Sequence, residues 1–132
     1  MIAFVDTSAL YAVLNRADAN HERALAIWRS LLSDSPALLT SSYVVLETSV
    51  LLQSRLGIAA LRTFHEDIFP LLTVEWVSEQ QHLAAVDAVL TAARRKLSLV
   101  DCISFQTMRE SGVRTAFCFD SHFREQGFQV IP

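Results

Sequence analysis

The chain has 132 residues, which is the usual length of one domain, and its hydrophobic content of 52% against 19% charged residues excludes global disorder. Eleven basic and fourteen acidic residues give a net charge of −3, so no overall positive field attracts nucleic acid. Two cysteines without a CxxC pair and only three glycines exclude a disulfide scaffold, a cysteine-rich zinc site and the glycine-rich nucleotide loops. No apolar run reaches the roughly 18 residues of a membrane span, and the N-terminus lacks the features of a signal peptide. We therefore expect a single domain over residues 1–132 in the cytoplasm, with no contact to a membrane.

Short β-like runs alternate with longer runs of helical periodicity. In chain order the pattern predicts a strand at 2–5, helices at 8–15 and 20–33, a strand at 37–40, helices at 42–55 and 58–69, a strand at 71–77, helices at 79–96 and 100–111, a strand at 115–119, a helical turn at 121–126 and a strand at 128–131. Ser35-Pro36 is expected to end the second helix. This alternation predicts an α/β fold in which helices cover both faces of a parallel sheet of four or five short strands.

Two acidic residues directly follow predicted strands. Asp6 comes after the run at 2–5, and Asp120 comes after the run at 115–119. Ligands of parallel sheets bind beyond the carboxyl ends of the strands, so both residues are candidates for a site. Each also has a structural explanation, because Asp is a favoured N-cap and a helix is predicted after each of them.

Two further acids lie in predicted helices. Glu47 shares a helix face with apolar residues, where a carboxylate is costly unless it is paired. It could form a buried pair with an arginine, lie at the rim of the stripe or take part in a site. Asp101 opens the helix at 100–111, where Ser98 and Asp101 resemble a capping box. That capping role is compatible with a function.

The four acids together predict a metal site. Clustered carboxylates repel one another unless a hard cation binds them, and a set of oxygen ligands is typical of Mg²⁺ or Mn²⁺. Such ions activate water and stabilise the oxygens of a phosphodiester during hydrolysis. Aspartyl-phosphate phosphatases are disfavoured, because they need a second Asp where this chain has Ser8.

At these residues the sequence resembles the PIN-domain nucleases, in particular the small VapC-like toxins of prokaryotic toxin–antitoxin pairs. The resemblance spans the whole chain and rests on VDTSAL at 5–10, SSYVVLE at 41–47, LSLVDCISF at 97–105 and CFDSHF at 118–123. Each motif is weak alone, but all four in this order are fairly specific. The resemblance implies a PIN-like three-layer α/β/α fold and a metal-dependent endoribonuclease.

The resemblance assigns the catalytic and metal-binding quartet to Asp6, Glu47, Asp101 and Asp120, with Mg²⁺ or Mn²⁺ as the cofactor. It assigns an assisting hydroxyl to Thr7 or Ser8 and leaves that choice open. It also implies an RNA substrate, an antitoxin protein as partner and a homodimer. The alternative is a catalytically inactive PIN-fold binding module whose acidic pocket holds a partner protein.

The remaining polar and aromatic residues are expected to have structural roles. His122 is expected to face solvent in a helical turn, although it could contact a phosphate. Arg94, Arg95 and Lys96 are expected to form a solvated helix end, with RNA binding as the alternative. The small and aromatic residues expected in the core are Trp28, Trp76, Phe105, Cys102 and Cys118.

Overall fold

The computed structural model describes residues 2–34 and 37–131, so the helix end expected at Ser35-Pro36 lies outside the described residues. Within them the chain forms five strands and seven α-helices. The strands are β1 (Ile2–Val5), β2 (Ala37–Ser41), β3 (Thr73–Glu75), β4 (Thr115–Phe117) and β5 (Gln129–Ile131). The helices are α1 (Thr7–Leu14), α2 (His21–Ser33), α3 (Ser42–Leu56), α4 (Ile58–Thr63), α5 (Glu79–Ala92), α6 (Leu99–Ser111) and α7 (His122–Glu125).

The strands pair in parallel in the order β3-β2-β1-β4-β5. The chain moves outward from β1 to β3 and then returns to the other side of β1 for β4 and β5. Because crossovers between parallel strands are right-handed, this reversal places helices on both faces of the sheet. The carboxyl ends of β1 and β4 flank the point of reversal, which is where such sheets bind ligands. The predicted α/β class and the parallel sheet are confirmed.

Several helix starts are fixed by side-chain caps. The Ser41 hydroxyl accepts from the Val44 amide at the start of α3. Ser78 and Ser98 form full capping boxes at the starts of α5 and α6, in which the side chain of the third helical residue accepts from the amide of the serine. These caps satisfy amide groups that have no partner within the helix.

Two predicted helices are too long. The helix predicted at 79–96 ends at Ala92, because Ala93 takes a left-handed conformation with φ of 50°. The helix predicted at 58–69 ends as α4 at Thr63 and continues as a π-helical turn, Phe64–Ile68, followed by a 3₁₀ turn, Phe69–Leu71. Pro70 lies in that last turn and cannot donate the hydrogen bond that a continued helix needs.

The core lies on both sides of the central strand β1, where Ala3, Phe4 and Val5 are fully buried. Trp28, Phe105, Cys102 and Cys118 are buried, as expected from the sequence. The expectation for Trp76 is wrong, since its side chain is 70% exposed. It directly follows β3, which is an edge strand of the sheet that the described residues form. No helix of the described residues is long and apolar enough to cross a membrane.

Candidate active site

Asp6 follows β1 and caps the first turn of α1. Its Oδ2 atom accepts hydrogen bonds from the Ser8 amide at 3.2 Å and from the Ser8 hydroxyl at 2.7 Å. The residue is only 4% exposed. Burial raises the pKa of Asp6 from 3.8 to about 7, the two hydrogen bonds from Ser8 oppose that rise, and the charges of Asp101 and Asp120 add to it. A residue that is only a helix cap does not need to be so thoroughly desolvated.

The two hydroxyls next to Asp6 have different roles. The Ser8 hydroxyl donates to Asp6 and accepts from the Phe119 amide at 2.9 Å, so it joins the ends of β1 and β4. The Thr7 hydroxyl accepts from Thr48 at 3.3 Å and so connects α1 to α3. In the described structure, Ser8 is therefore the hydroxyl that touches the Asp6 carboxylate.

Asp101 lies in the first turn of α6, and its side chain is 10% exposed. Its Oδ2 atom accepts from the Ser98 amide at 3.2 Å, which completes the capping box. Burial raises the pKa of Asp101, and the nearby charge of Asp120 raises it further. The capping role predicted from the sequence is therefore present, and it fixes the carboxylate close to a second one.

Asp120 lies on the turn that leads from β4 into α7, and His122 is the first residue of α7. The His122 amide donates to Asp120 Oδ1 at 2.8 Å, which folds the turn back on itself. The ring Nδ1 of His122 lies 3.1 Å from Asp120 Oδ1 and 3.2 Å from Asp101 Oδ2. The His122 side chain is only 14% exposed, so the expectation that it faces solvent is wrong.

Glu47 lies outside this group. It is half-buried on α3, and the described residues give it no hydrogen bond or ion pair. Its neighbour Thr48 is fully buried and reaches Thr7, so this turn of α3 packs beside the start of α1. The structure thus brings together Asp6, Asp101 and Asp120, adds His122 to them, and leaves Glu47 on an adjacent helix.

The donor set fits a divalent cation. Asp101, Asp120 and His122 each place one ligand atom within 4.8 Å of the others. The charge of Asp6 interacts with both of these aspartates, so three carboxylates share a small, largely buried volume. The described residues place no lysine or arginine in hydrogen-bond contact with these carboxylates. A cation bound there would offset the cost of burying them.

A cleft of about 220 Å³ opens beside this group. Asp120 lines it together with Arg23, Arg124 and Phe119. The guanidinium carbon of Arg23 lies 5.8 Å from the centre of the Phe119 ring, and both arginines are exposed. Arginine is suited to binding phosphate oxygens, so the cleft places cationic groups next to the acidic ones.

The chain belongs to the PIN-domain family, whose model matches residues 3–129. Among curated proteins it is 35% identical over 129 residues to the 23S rRNA-specific endonuclease VapC20, in two strains of Mycobacterium tuberculosis. The match covers 97% of this chain and 96% of the relative. The predicted relationship to VapC-like PIN domains is confirmed.

Solved structures agree with this assignment. The crystal structure of Mycobacterium tuberculosis VapC20, described as a sarcin–ricin loop cleaving toxin, matches with a TM-score of 0.85 at 34% identity, over 97% of this chain and 96% of that one. FitAcB from Neisseria gonorrhoeae matches with a TM-score of 0.71 at 18% identity, over 100% and 97% of the two chains. At that identity the second match supports the fold alone, and the predicted PIN-like fold is confirmed.

Proposed function

We propose that the protein is a VapC-like endoribonuclease that hydrolyses RNA phosphodiester bonds with Mg²⁺ or Mn²⁺. The observation that carries the proposal is the group of three neighbouring carboxylates at the carboxyl edge of the sheet, of which Asp6 and Asp101 are buried and Asp120 is partly exposed, and in which burial raises the pKa of Asp6 to about 7. Such a group is costly to fold and is explained by a bound cation. The relationship to VapC20 over 97% of the chain favours an enzyme over an inactive binding module.

A divalent ion at this group would stabilise charge on the phosphate oxygens and activate a water molecule for attack on phosphorus. Asp6, Asp101 and Asp120 would hold the ion, and the resemblance to the PIN-domain nucleases adds Glu47 of the neighbouring helix α3 as a fourth acid of this site. Ser8 fixes the orientation of the Asp6 carboxylate through its 2.7 Å hydrogen bond. Hydrolysis by water needs no protein nucleophile, and it leaves a 5′-phosphate and a 3′-hydroxyl.

The substrate we propose is an unpaired or looped segment of RNA, because sequence-specific proteins reach bases most readily there. Arg23 and Arg124 would bind phosphates beside Asp120 in the 220 Å³ cleft. VapC20 is described as specific for 23S rRNA, so ribosomal RNA is the first substrate to test. Arg94 is a weaker candidate, since it pairs with Glu125 at 3.1 Å.

The test is cleavage of total RNA and of a 23S rRNA loop by metal-free protein, with and without added Mn²⁺. Cleavage should require the metal and should be lost in Asp120→Asn. The matched control Asp87→Asn, on an exposed site of α5, should cleave normally. Products bearing 2′,3′-cyclic phosphates would contradict hydrolysis by water, and cleavage that persists in Asp120→Asn would contradict the site. Folded protein with no metal-dependent cleavage of any RNA would favour the binding module.

We also propose that the protein forms a homodimer and is held inactive by an antitoxin protein in the cytoplasm. Exposed apolar side chains support a covered surface on α3 and α4: Leu46, Val50, Leu56 and Ile58. An arginine or lysine of the antitoxin would neutralise the acidic group, so inhibition should weaken as Mn²⁺ rises. Sedimentation showing a monomer at tens of micromolar would contradict the dimer. A structure of the antitoxin complex in which no antitoxin residue covers the three carboxylates would contradict this mode of inhibition.

A further inference from the structure

His122 has an unusual position for a residue of a surface turn. Its Nδ1 atom lies almost equally far from Asp101 Oδ2 and Asp120 Oδ1, at 3.2 and 3.1 Å, although these carboxylates come from different elements. The side chain is only 14% exposed, and the hydrogen bond from the His122 amide to Asp120 fixes the backbone that carries it. The imidazole is therefore held in place by the fold.

These distances resemble the spacing of ligands around a small cation. Neighbouring donors of an octahedral ion with bonds of about 2.1 Å lie about 3.0 Å apart. Both distances from Nδ1 are close to that value, and all three donor atoms lie within 4.8 Å of one another. In the metal-free protein the same contacts are those of a hydrogen bond from a protonated Nδ1 to the carboxylates, and a bound ion would take the place of that proton.

We propose that His122 Nδ1 is a ligand of the divalent ion together with Asp101 and Asp120, and that this nitrogen makes the site prefer Mn²⁺ to Mg²⁺. The inference deepens the proposed function and depends on its metal site. Mg²⁺ prefers oxygen ligands, whereas imidazole suits transition metals. A site built only from carboxylates lacks a nitrogen ligand that would favour Mn²⁺ over Mg²⁺.

Direct evidence would come from Mn²⁺ bound to the RNA-free protein. Electron spin echo spectroscopy of bound Mn²⁺ should show coupling to a histidine nitrogen, and this coupling should change when histidine is labelled with ¹⁵N. It should vanish in His122→Ala and persist in His65→Ala, which removes an exposed histidine of the π-helical turn. No nitrogen coupling in the wild-type protein would overturn the proposal.

Affinities provide a second test. Calorimetric titration of His122→Ala should show Mn²⁺ affinity reduced at least roughly tenfold, since even residues that only orient a ligand have effects of that size. Mg²⁺ affinity should fall much less. His122→Gln offers an oxygen on a side chain of similar reach, so it should reduce the ratio of Mn²⁺ affinity to Mg²⁺ affinity. Far-UV circular dichroism checks that both variants fold. If His122→Ala lost the same factor of affinity for Mn²⁺ and for Mg²⁺, His122 would be a positioning residue and the proposal would be wrong. Tighter Mn²⁺ binding by the variant would also contradict it, because it would show that His122 competes with the ion for the carboxylates.

These measurements involve no RNA, so they separate this inference from the proposed function. Nitrogen coupling without any RNA cleavage would support the ligand and contradict the nuclease. Metal-dependent cleavage without nitrogen coupling would support the nuclease and contradict the ligand.

Discussion

Replacing Asp6 with asparagine should stabilise the metal-free protein, and the gain should depend on pH. The pKa of Asp6 is about 7 in the folded protein and 3.8 as the ordinary value. Below pH 3.8 the carboxyl is neutral in both the folded and unfolded states, so it contributes no pH dependence. Between pH 3.8 and 7 the unfolded state ionises while the folded state stays protonated. The free energy of unfolding therefore falls by about 1.4 kcal/mol for each pH unit.

The magnitude follows from the width of this window. The pKa of Asp6 in the folded protein lies about three pH units above its ordinary value. This difference lowers the free energy of unfolding by about 4 kcal/mol, and the full loss is reached by neutral pH. An asparagine side chain cannot ionise, yet it has the shape of aspartate and is an equally good N-cap. The Asp6→Asn variant should therefore gain up to about 4 kcal/mol over the wild type between about pH 4 and 7, with no further gain above about pH 7.5.

The assay is urea unfolding in EDTA at half-unit steps from about pH 4 to 8.5. The quantity of interest is the difference in unfolding free energy between Asp6→Asn and the wild type. Asp87→Asn is the control, because Asp87 is exposed and the difference should stay flat. A flat difference for Asp6→Asn as well would refute the reasoning, since it would mean that the folded protein does not disfavour the Asp6 charge. The same variant should lose metal-dependent cleavage.

Three further predictions use other contacts of the site. Ser8→Ala should destabilise the protein by about 1–3 kcal/mol in chemical denaturation, because it removes a donor to Asp6 and leaves the partly buried Phe119 amide without its acceptor. An unchanged unfolding midpoint would show that these two hydrogen bonds do not contribute to stability. Mn²⁺ at about one hundred times its dissociation constant should stabilise the wild type by about 2.7 kcal/mol and raise its melting temperature, whereas Asp120→Asn should show little shift. Arg124→Ala should weaken RNA binding and reduce its salt dependence when cleavage is blocked by EDTA; unchanged binding would place the phosphates elsewhere.

Much of the site could be predicted because parallel strands bring their carboxyl ends to one edge. That rule makes Asp6 and Asp120 candidates, although each is also explained as a helix cap, and only the four acids together favour a site. The strand before Asp120 was predicted two residues too long, since β4 ends at Phe117. The neighbouring strand β1 ends at Val5, which pairs with Phe117. Beyond Phe117, β4 therefore has no residue of β1 to pair with.

The contribution of His122 could not be predicted, because it depends on a contact across 21 residues of sequence. The local signal was the Asp-x-His spacing, which allows the amide of His122 to donate to Asp120 and turn the ring inward. The stripe that carries Glu47 is buried only in part, since Val44 is fully buried and Val50 is 56% exposed, and Glu47 itself is half-buried. Periodicity identifies an apolar face but does not show how far along the helix that face is covered.

Helix ends were the least predictable part of the fold. Residues 93–96 are Ala, Arg, Arg and Lys, which all favour helix, so the sequence contains no stop signal after Ala92. The helix stops because Ala93 takes a left-handed conformation, and Ser98 then begins α6 with its own capping box. Local helix propensity therefore does not indicate where α5 ends.

The strand order has a consequence for the chain during its synthesis. Asp6 and Ser8 are made early, but the Phe119 amide that Ser8 accepts from lies 111 residues later, on the far side of the central strand. A nascent chain that has not reached β4 therefore has a free edge on β1 and only part of the acidic group. The acidic group is therefore complete only when β4 and the residues that directly follow it, including Asp120, have joined the fold. A nascent chain that ends before Asp120 therefore lacks one of the three carboxylates that the finished protein brings together.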